Sequence, residues 1–221
     1  MAGKRLIIAI DGPSGAGKGT LARAVAKALE YGHVDTGAMY RAVGWKAVQE
    51  NIPLDNEDAL AELAARAQYE QRAGAIFIDG HDVTRAIRTP EIDKAATAVA
   101  RLPRVRSVLV DRQRQLGEAG AVVMEGRDIG TVVFPNADVK VYLDASPEER
   151  ARRRAHDPAH TGGQQSNIAG IQQDLQTRDK SDSTRPVAPL TRAPDAVYVD
   201  TTTLPIAEVV EMVMKLVKEK L

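Results

Sequence analysis

The chain contains no cysteine. Disulfides and thiolate metal sites are therefore excluded. It also lacks net charge, since 30 lysines and arginines balance 30 aspartates and glutamates. No global field draws it to nucleic acid or to a membrane. No apolar run approaches the roughly 20 residues of a membrane span. Residues 1–10 are too short and too strand-like for a signal peptide, so the expectation is a cytoplasmic protein. His33, His81, His156 and His160 are scattered without metal-ligand spacing and are read as structural or exposed. There is no internal repeat, no low-complexity tract and no N-K-x-D sequence of the kind that reads guanine. What remains is a 221-residue chain of ordinary composition, enough for one α/β domain with an insertion.

The most informative stretch present is Gly12-Pro13-Ser14-Gly15-Ala16-Gly17-Lys18-Gly19-Thr20. An apolar run, Leu6 to Ile10, precedes it, and a helical pattern of Leu21, Val25 and Leu29 follows. Strand, glycine turn, helix is a phosphate cradle: glycines let consecutive N–H groups point inward, and the helix adds its positive end. Lys18 supplies a cation for β- and γ-phosphate oxygens. The spacing fits G-x-x-x-x-G-K, with one departure. Gly19 stands where a hydroxyl residue is due, so Thr20 becomes the candidate contact for magnesium. The expected ligand is a nucleoside triphosphate.

The chain then alternates. Strands are predicted at 5–10, 33–35, 121–124, 139–143 and 196–199, with helices between them. Thr36 is the expected N-cap of a helix running to about Glu50. A helix at 57–67 follows, then a weakly alternating stretch, 75–84, that reads as an antiparallel hairpin interrupting the alternation. Further helices are expected at 88–102, 104–118, from Pro147, at about 167–179 and at 203–220, with Trp45 in the core. The pattern predicts a five-stranded parallel sheet covered by helices on both faces. Gly12, Asp35, Glu125 and Asp144 fall just past strand ends, where ligands of such sheets sit and one crevice can collect them.

Arginines cluster at loop and helix ends: Arg41, Arg127, Arg150, Arg152, Arg153, Arg154, Arg178 and Arg185. The guanidinium fork suits phosphate, and phosphoryl transfer is mostly positioning and charge neutralisation. A phosphate-rich site for two substrates is the reading. For the run at 150–154 the competing reading is a solvated basic face. Asp128, just after a strand, has two open roles: a carboxylate that reads a base, or one that serves magnesium through water.

Several stretches together resemble the bacterial cytidylate kinases. They are Ile10 to Thr20, Asp35-Thr-Gly-Ala-Met-Tyr-Arg41, Ile87 to Glu91, Pro103 to Arg106, Gly126 to Pro135, Leu143 to Ser146, Arg178-Asp179, Arg185 to Leu190 and Asp200 to Thr202. The resemblance spans nearly the whole chain in order, loosening only in the hairpin and at 155–170. It implies a P-loop kinase that transfers phosphate from ATP to CMP or dCMP with Mg²⁺. The core would be about 1–55, 100–150 and 185–221, the monophosphate-gripping insertion about 56–99, and a mobile lid about 150–170. It implies that Arg41, Arg127 and Arg185 hold the acceptor phosphate, with Thr36 beside them. Thr97, Arg106 and Asp128 would read cytosine, and Tyr40, Arg178 and Asp182 would meet the sugar. Lys18, Arg127 and Arg153 are the catalytic candidates, although any arginine of 150–154 could approach the triphosphate. No protein metal ligand other than Thr20 is implied, no nucleic-acid or membrane partner, and a monomer is expected. Two other readings start from the same loop. One is a kinase for adenylate, thymidylate or shikimate; the other is a nucleotide-gated switch, against which zero net charge speaks.

Overall fold

Strand β1 (Ile7–Asp11) is apolar from Ile7 to Ile10 because it is covered by strands and helices on all sides. In the computed structural model, which describes residues 4–72, 74–157 and 167–221, it is the central strand of a five-stranded sheet. The other strands are β2 (Gly32–Asp35), β6 (Val122–Gly126), β7 (Val139–Asp144) and β8 (Val197–Asp200). All pairings are parallel, in the order β2-β6-β1-β7-β8. Ile8 lies between Val123 and Val139 in register.

Side chains alternate across a strand, so β1 feeds two cores. Ala9, with Val34, Val122 and Met124, packs under α2 (Thr36–Gln49), α3 (Glu57–Arg66) and α5 (Pro103–Gly117). Ile8 and Ile10, with Val123, Val141 and Val199, pack on α1 (Lys18–Leu29) and the C-terminal α8 (Ile206–Lys218). Val209, Val213 and Val217 of α8 are the buried stripe of that last helix.

A second, antiparallel sheet is formed by β3 (Tyr69–Arg72), β4 (Ala75–Ile78) and β5 (His81–Asp82). Its Ile76 and Ile78 pack with Ala38 and Ala42 of α2 and Ile92 of α4 (Pro90–Val99). Two helices complete the chain, α6 (Pro147–Ala155) and α7 (Ile168–Thr184). Among the described residues no helix is long and apolar enough to cross a membrane.

Four local expectations change. The cap of α2 is Asp35, whose side chain accepts from the Ala38 N–H; Thr36 is already helical and donates its hydroxyl to the Glu125 carbonyl, 2.7 Å away. The polar strand β3 pairs with β4, so the hairpin is a three-stranded sheet. Helix α7 continues to Thr184 rather than ending near residue 179. A turn of π-helix, Ile129–Val133, follows β6, and Asp11 fixes it by accepting from the Ile129 and Gly130 N–H groups at 2.8 and 2.7 Å. Trp45, expected in the core, is half-buried against the α2–β4 cluster.

Replacing Ile8, which is 0% exposed, by alanine is expected to lower stability by about 2–5 kcal/mol. The denaturant midpoint measures it, and a shift below about 1 kcal/mol would place Ile8 outside the load that holds the sheet.

Candidate active site

Three backbone devices set the phosphate loop. Gly12 crosses the end of β7 at φ +145, where a Cβ would lie 2.0 Å from the Leu143 carbonyl oxygen. Gly17 is left-handed at φ 96 and caps α1 with no side chain in the way. Arg150 braces the loop from α6, donating to the carbonyls of Ala145 and Ser14 at 3.1 and 3.2 Å and pairing with Asp179. Gly15 is pressed against that helix, 2.9 Å from the Arg150 Cβ if it carried one of its own.

The loop forms one wall of a cavity of about 390 Å³. Ser14, Gly15, Gly17, Lys18, Gly19 and Thr20 line it; Gly12, Pro13 and Ala16 support it from behind. The floor is the end of β6, with Glu125, Gly126, Arg127 and Asp128. Thr36, Tyr40 and Arg41 come from α2, Thr97 from α4, and Arg178, Asp182 and Arg185 from α7 and the residue after it. Arg153 and Arg154 enter from α6. Arg106, fully buried beneath, reaches Asp128 from α5. The anticipated crevice is real, but Asp144 is not in it; its carboxylate accepts from the Ala145 N–H instead. Of the lid arginines, Arg152 is exposed and tied to Glu149. Residues 158–166 of the anticipated lid, including His160, lie outside the described residues.

Nine cationic side chains line this cavity against five carboxylates, so its vacant side favours an anion. Each central arginine is held by an acid. Arg41 pairs with Asp35 at 3.0 Å, Arg127 with Asp182 at 2.8 Å and Arg185 with Asp128 at 3.2 Å. Asp93 of α4 holds both Arg154 and Arg178, the latter at 3.2 Å. Arg153 donates to Thr201 Oγ1 at 2.8 Å and to Glu149 at 2.8 Å. Beside these pairs lie buried polar atoms without a hydrogen-bond partner: Tyr40 OH, Arg41 Nε and Arg106 Nε. Buried polar groups are seldom left so. The Arg106 guanidinium lies 5.5 Å over the Tyr40 ring.

Burial moves the charges. Lys18 is pushed down to about 7 by burial and by the neighbouring Arg127, and its ammonium donates to the Pro13 carbonyl at 2.7 Å. Burial lowers Arg154 to about 10 and pushes the Tyr40 hydroxyl up to about 12. Burial lifts Asp11 to about 6, against the opposing pull of its backbone donors Gly130 and Ile129. For Asp35 and Asp182 burial also acts upward, but the arginines Arg41 and Arg127 overcome it and hold both below the usual carboxylate range.

The chemistry of the donors also bears on magnesium. Among the described residues no group of three acids or histidines could hold a metal ion. Mg²⁺ in phosphoryl-transfer sites takes one or two protein oxygens and completes its shell with phosphate and water. The exposed Thr20 hydroxyl on the cavity wall fits that pattern. Asp128 fits it poorly, because Arg106 and Arg185 approach its two oxygens.

A parallel sheet in this order, with a glycine–lysine loop at the end of its central strand and an arginine cavity beside it, defines the P-loop phosphotransferases. Solved structures agree on the fold: a shikimate kinase from Bacteroides thetaiotaomicron superposes with a TM-score of 0.51 at 15% identity, over 96% of this chain and 98% of that one. Residues 8–219 match the family model described as cytidylate kinase, and the chain belongs to that family. It is 47% identical to a cytidylate kinase of Solibacter usitatus over 98% of this chain and 94% of the relative. It is 48% identical to a cytidylate kinase of Bacillus subtilis over 98% of each.

The position of Lys18 generates a prediction. A lysine near 7 in the free protein is part neutral at pH 7.5–9, and phosphate oxygens favour its charged form. ATP binding should therefore take up protons in that window. Calorimetry in buffers of different ionisation enthalpy measures the uptake; it should vanish in Lys18→Met, and equal uptake in that variant would remove Lys18 as the source.

Proposed function

We infer that this chain transfers the γ-phosphate of ATP to CMP or dCMP, giving ADP and CDP or dCDP. The observation that carries the reading is the chain of paired charges Arg106–Asp128–Arg185–Asp182–Arg127, with its unsatisfied donors, set beside a phosphate cradle. The cradle alone suits many nucleotides. The acid–arginine chain beside it suits a second anion that carries a polar base.

The triphosphate is held by the loop N–H groups, the N-terminus of α1 and Lys18. Arg41, Arg127 and Arg185 hold the acceptor phosphate, each with its acid partner behind it. The acceptor oxygen is already anionic, so no protein base has to remove a proton. Catalysis is in-line placement and neutralisation of the moving phosphoryl group by Lys18, Arg127 and Arg153. Mg²⁺ would supply charge neutralisation for the triphosphate, and the Thr20 hydroxyl would hold it.

Asp128 and Arg106 read the base, with Thr97 at the edge of the cavity. Cytosine offers an N4 amino donor beside N3 and O2 acceptors. Asp128 retains lone pairs beyond those that its two arginines occupy, and can accept from N4. Arg106 has an unsatisfied Nε beneath the pocket. Uracil turns an acceptor toward Asp128, so the carboxylate meets a lone pair where cytosine offers a donor. Tyr40, Arg178 and Asp182 lie toward the sugar. The insertion holds the acceptor half through α2, on which the three-stranded sheet packs, and through α4, and α6 and the start of α7 carry the lid.

Lys18→Ala and Arg127→Ala should each lower kcat by about 10²–10³ while the melting transition survives. Steady-state kinetics with CMP measures this, and near-normal turnover in either variant would strip that residue of its role. Against UMP, the discrimination in kcat/KM should approach about 10⁴. A panel of nucleoside monophosphates in an ADP-release assay tests it, and equal rates for CMP and UMP would refute the Asp128 reading.

A further inference from the structure

His33 stands in β2 at the junction of the two sheets, and its partners come from both. Its Nε2 lies 3.0 Å from Glu125 Oε1, and its Nδ1 lies 3.3 Å from Gln71 Nε2 of β3. Gln71 Oε1 accepts from the Asp35 backbone N–H at 3.1 Å and from the Tyr69 hydroxyl at 3.4 Å. The directions of these bonds follow from one group that has no choice. A backbone N–H can only donate, so the Gln71 oxygen faces Asp35 and its NH₂ faces the ring. Nδ1 must then accept, and the ring proton sits on Nε2. At the far end a carboxylate needs a donor, which is what Nε2–H provides. Both ends of the chain select the same neutral tautomer.

The two ends are the two halves of the site. Glu125 lies against the phosphate loop: a Cβ on Gly19 would be 3.1 Å from its Oε1. Asp35 caps α2 through Ala38 and holds Arg41 at 3.0 Å. His33 itself lines neither half of the cavity. We propose that His33 is a positioning residue, which through Glu125 and Gln71 fixes the Asp35–Arg41 pair relative to the phosphate loop. This rests on the functional reading above, in which Arg41 holds the acceptor phosphate and the loop holds ATP. Transfer between two separately bound phosphates depends on their relative placement, where a displacement of about 1 Å costs up to about 100-fold. A link between the halves therefore acts on turnover more than on the binding of either nucleotide.

The test uses the full chain with ATP and CMP. His33→Phe keeps the ring and removes both bonds; His33→Gln keeps an amide donor and an acceptor. Gln71→Leu breaks the chain at its next link, on a half-buried strand. His33→Phe should lower kcat by about tenfold, with both KM values within about threefold of wild type. His33→Gln should recover most of the loss. Gln71→Leu should match His33→Phe, and the double variant should be no worse than either single, since both cut one chain. Unchanged kcat with a lower melting temperature would reduce His33 to a fastening between sheets. Losses that multiply in the double variant, or a His33→Gln no better than His33→Phe, would equally overturn the proposal. If His33→Phe does not fold, the kcat and KM values of Gln71→Leu decide. Wild-type turnover of CMP checks the functional reading on its own, and the ratio of variant to wild type checks His33.

Discussion

A cavity built to receive phosphates must first survive without them. Nine cations converge here, and unopposed they would repel one another and open the fold. The structure answers with acids placed behind the arginines. Asp35 backs Arg41, Asp182 backs Arg127, and Asp128 backs both Arg106 and Arg185. Asp93 spans from α4 to Arg154 and Arg178. Buried pairs of this kind add little net stability, because desolvation offsets most of the attraction. Their contribution is geometric. A guanidinium held on one edge by a carboxylate presents its other edge in a fixed direction, and the orphaned Nε of Arg41 is such an edge.

The sheet explains why these groups meet. In a parallel sheet the loops after the strands share one edge, and the sequence spends its short loops there. β1 delivers the phosphate loop, β2 delivers Asp35 and β6 delivers Glu125 to Asp128. Asp11 then locks the π-turn after Asp128 to the start of the phosphate loop through two backbone N–H groups. The strand that leads into the glycine–lysine loop thereby also holds the turn that follows Asp128. The second sheet adds no acids or arginines of its own to the cavity wall; it acts through α2, on which Ile76 and Ile78 pack.

Much of this was legible in the sequence, for identifiable reasons. An unbroken apolar run ending in a glycine–lysine loop has few alternatives, and the order of strands and helices followed from it. Dense local motifs such as Asp35 to Arg41 carried most of the site. What escaped was set by partners far away in the chain. His33 is bonded to Glu125 across 92 positions and to Gln71 across 38, so no local spacing marks it. Strand β3, Tyr-Glu-Gln-Arg, has no apolar alternation; it is a strand because β4 pairs with it. Both aspartate and threonine are preferred caps, so local spacing leaves the start of α2 open to Asp35 or Thr36; the observed cap, Asp35, leaves Thr36 free to bond the end of β6. Within the basic run of α6 the sequence could not separate the members. Packing does: Arg150 is a strut under the loop, Arg152 is a surface residue, and Arg153 and Arg154 reach the cavity.

The same logic separates Lys18 from the arginines around it. An arginine keeps its charge when buried, and so needs a standing acid partner. A lysine can instead give up its proton, and Lys18, directed at the Pro13 carbonyl, makes no ion pair among the described residues. Without nucleotide the loop is thus spared a full buried charge, whereas the acceptor half carries its charges permanently in pairs. The two halves solve one electrostatic problem in different ways, and the residues between them, Glu125, His33 and Gln71, are where those solutions are held in register.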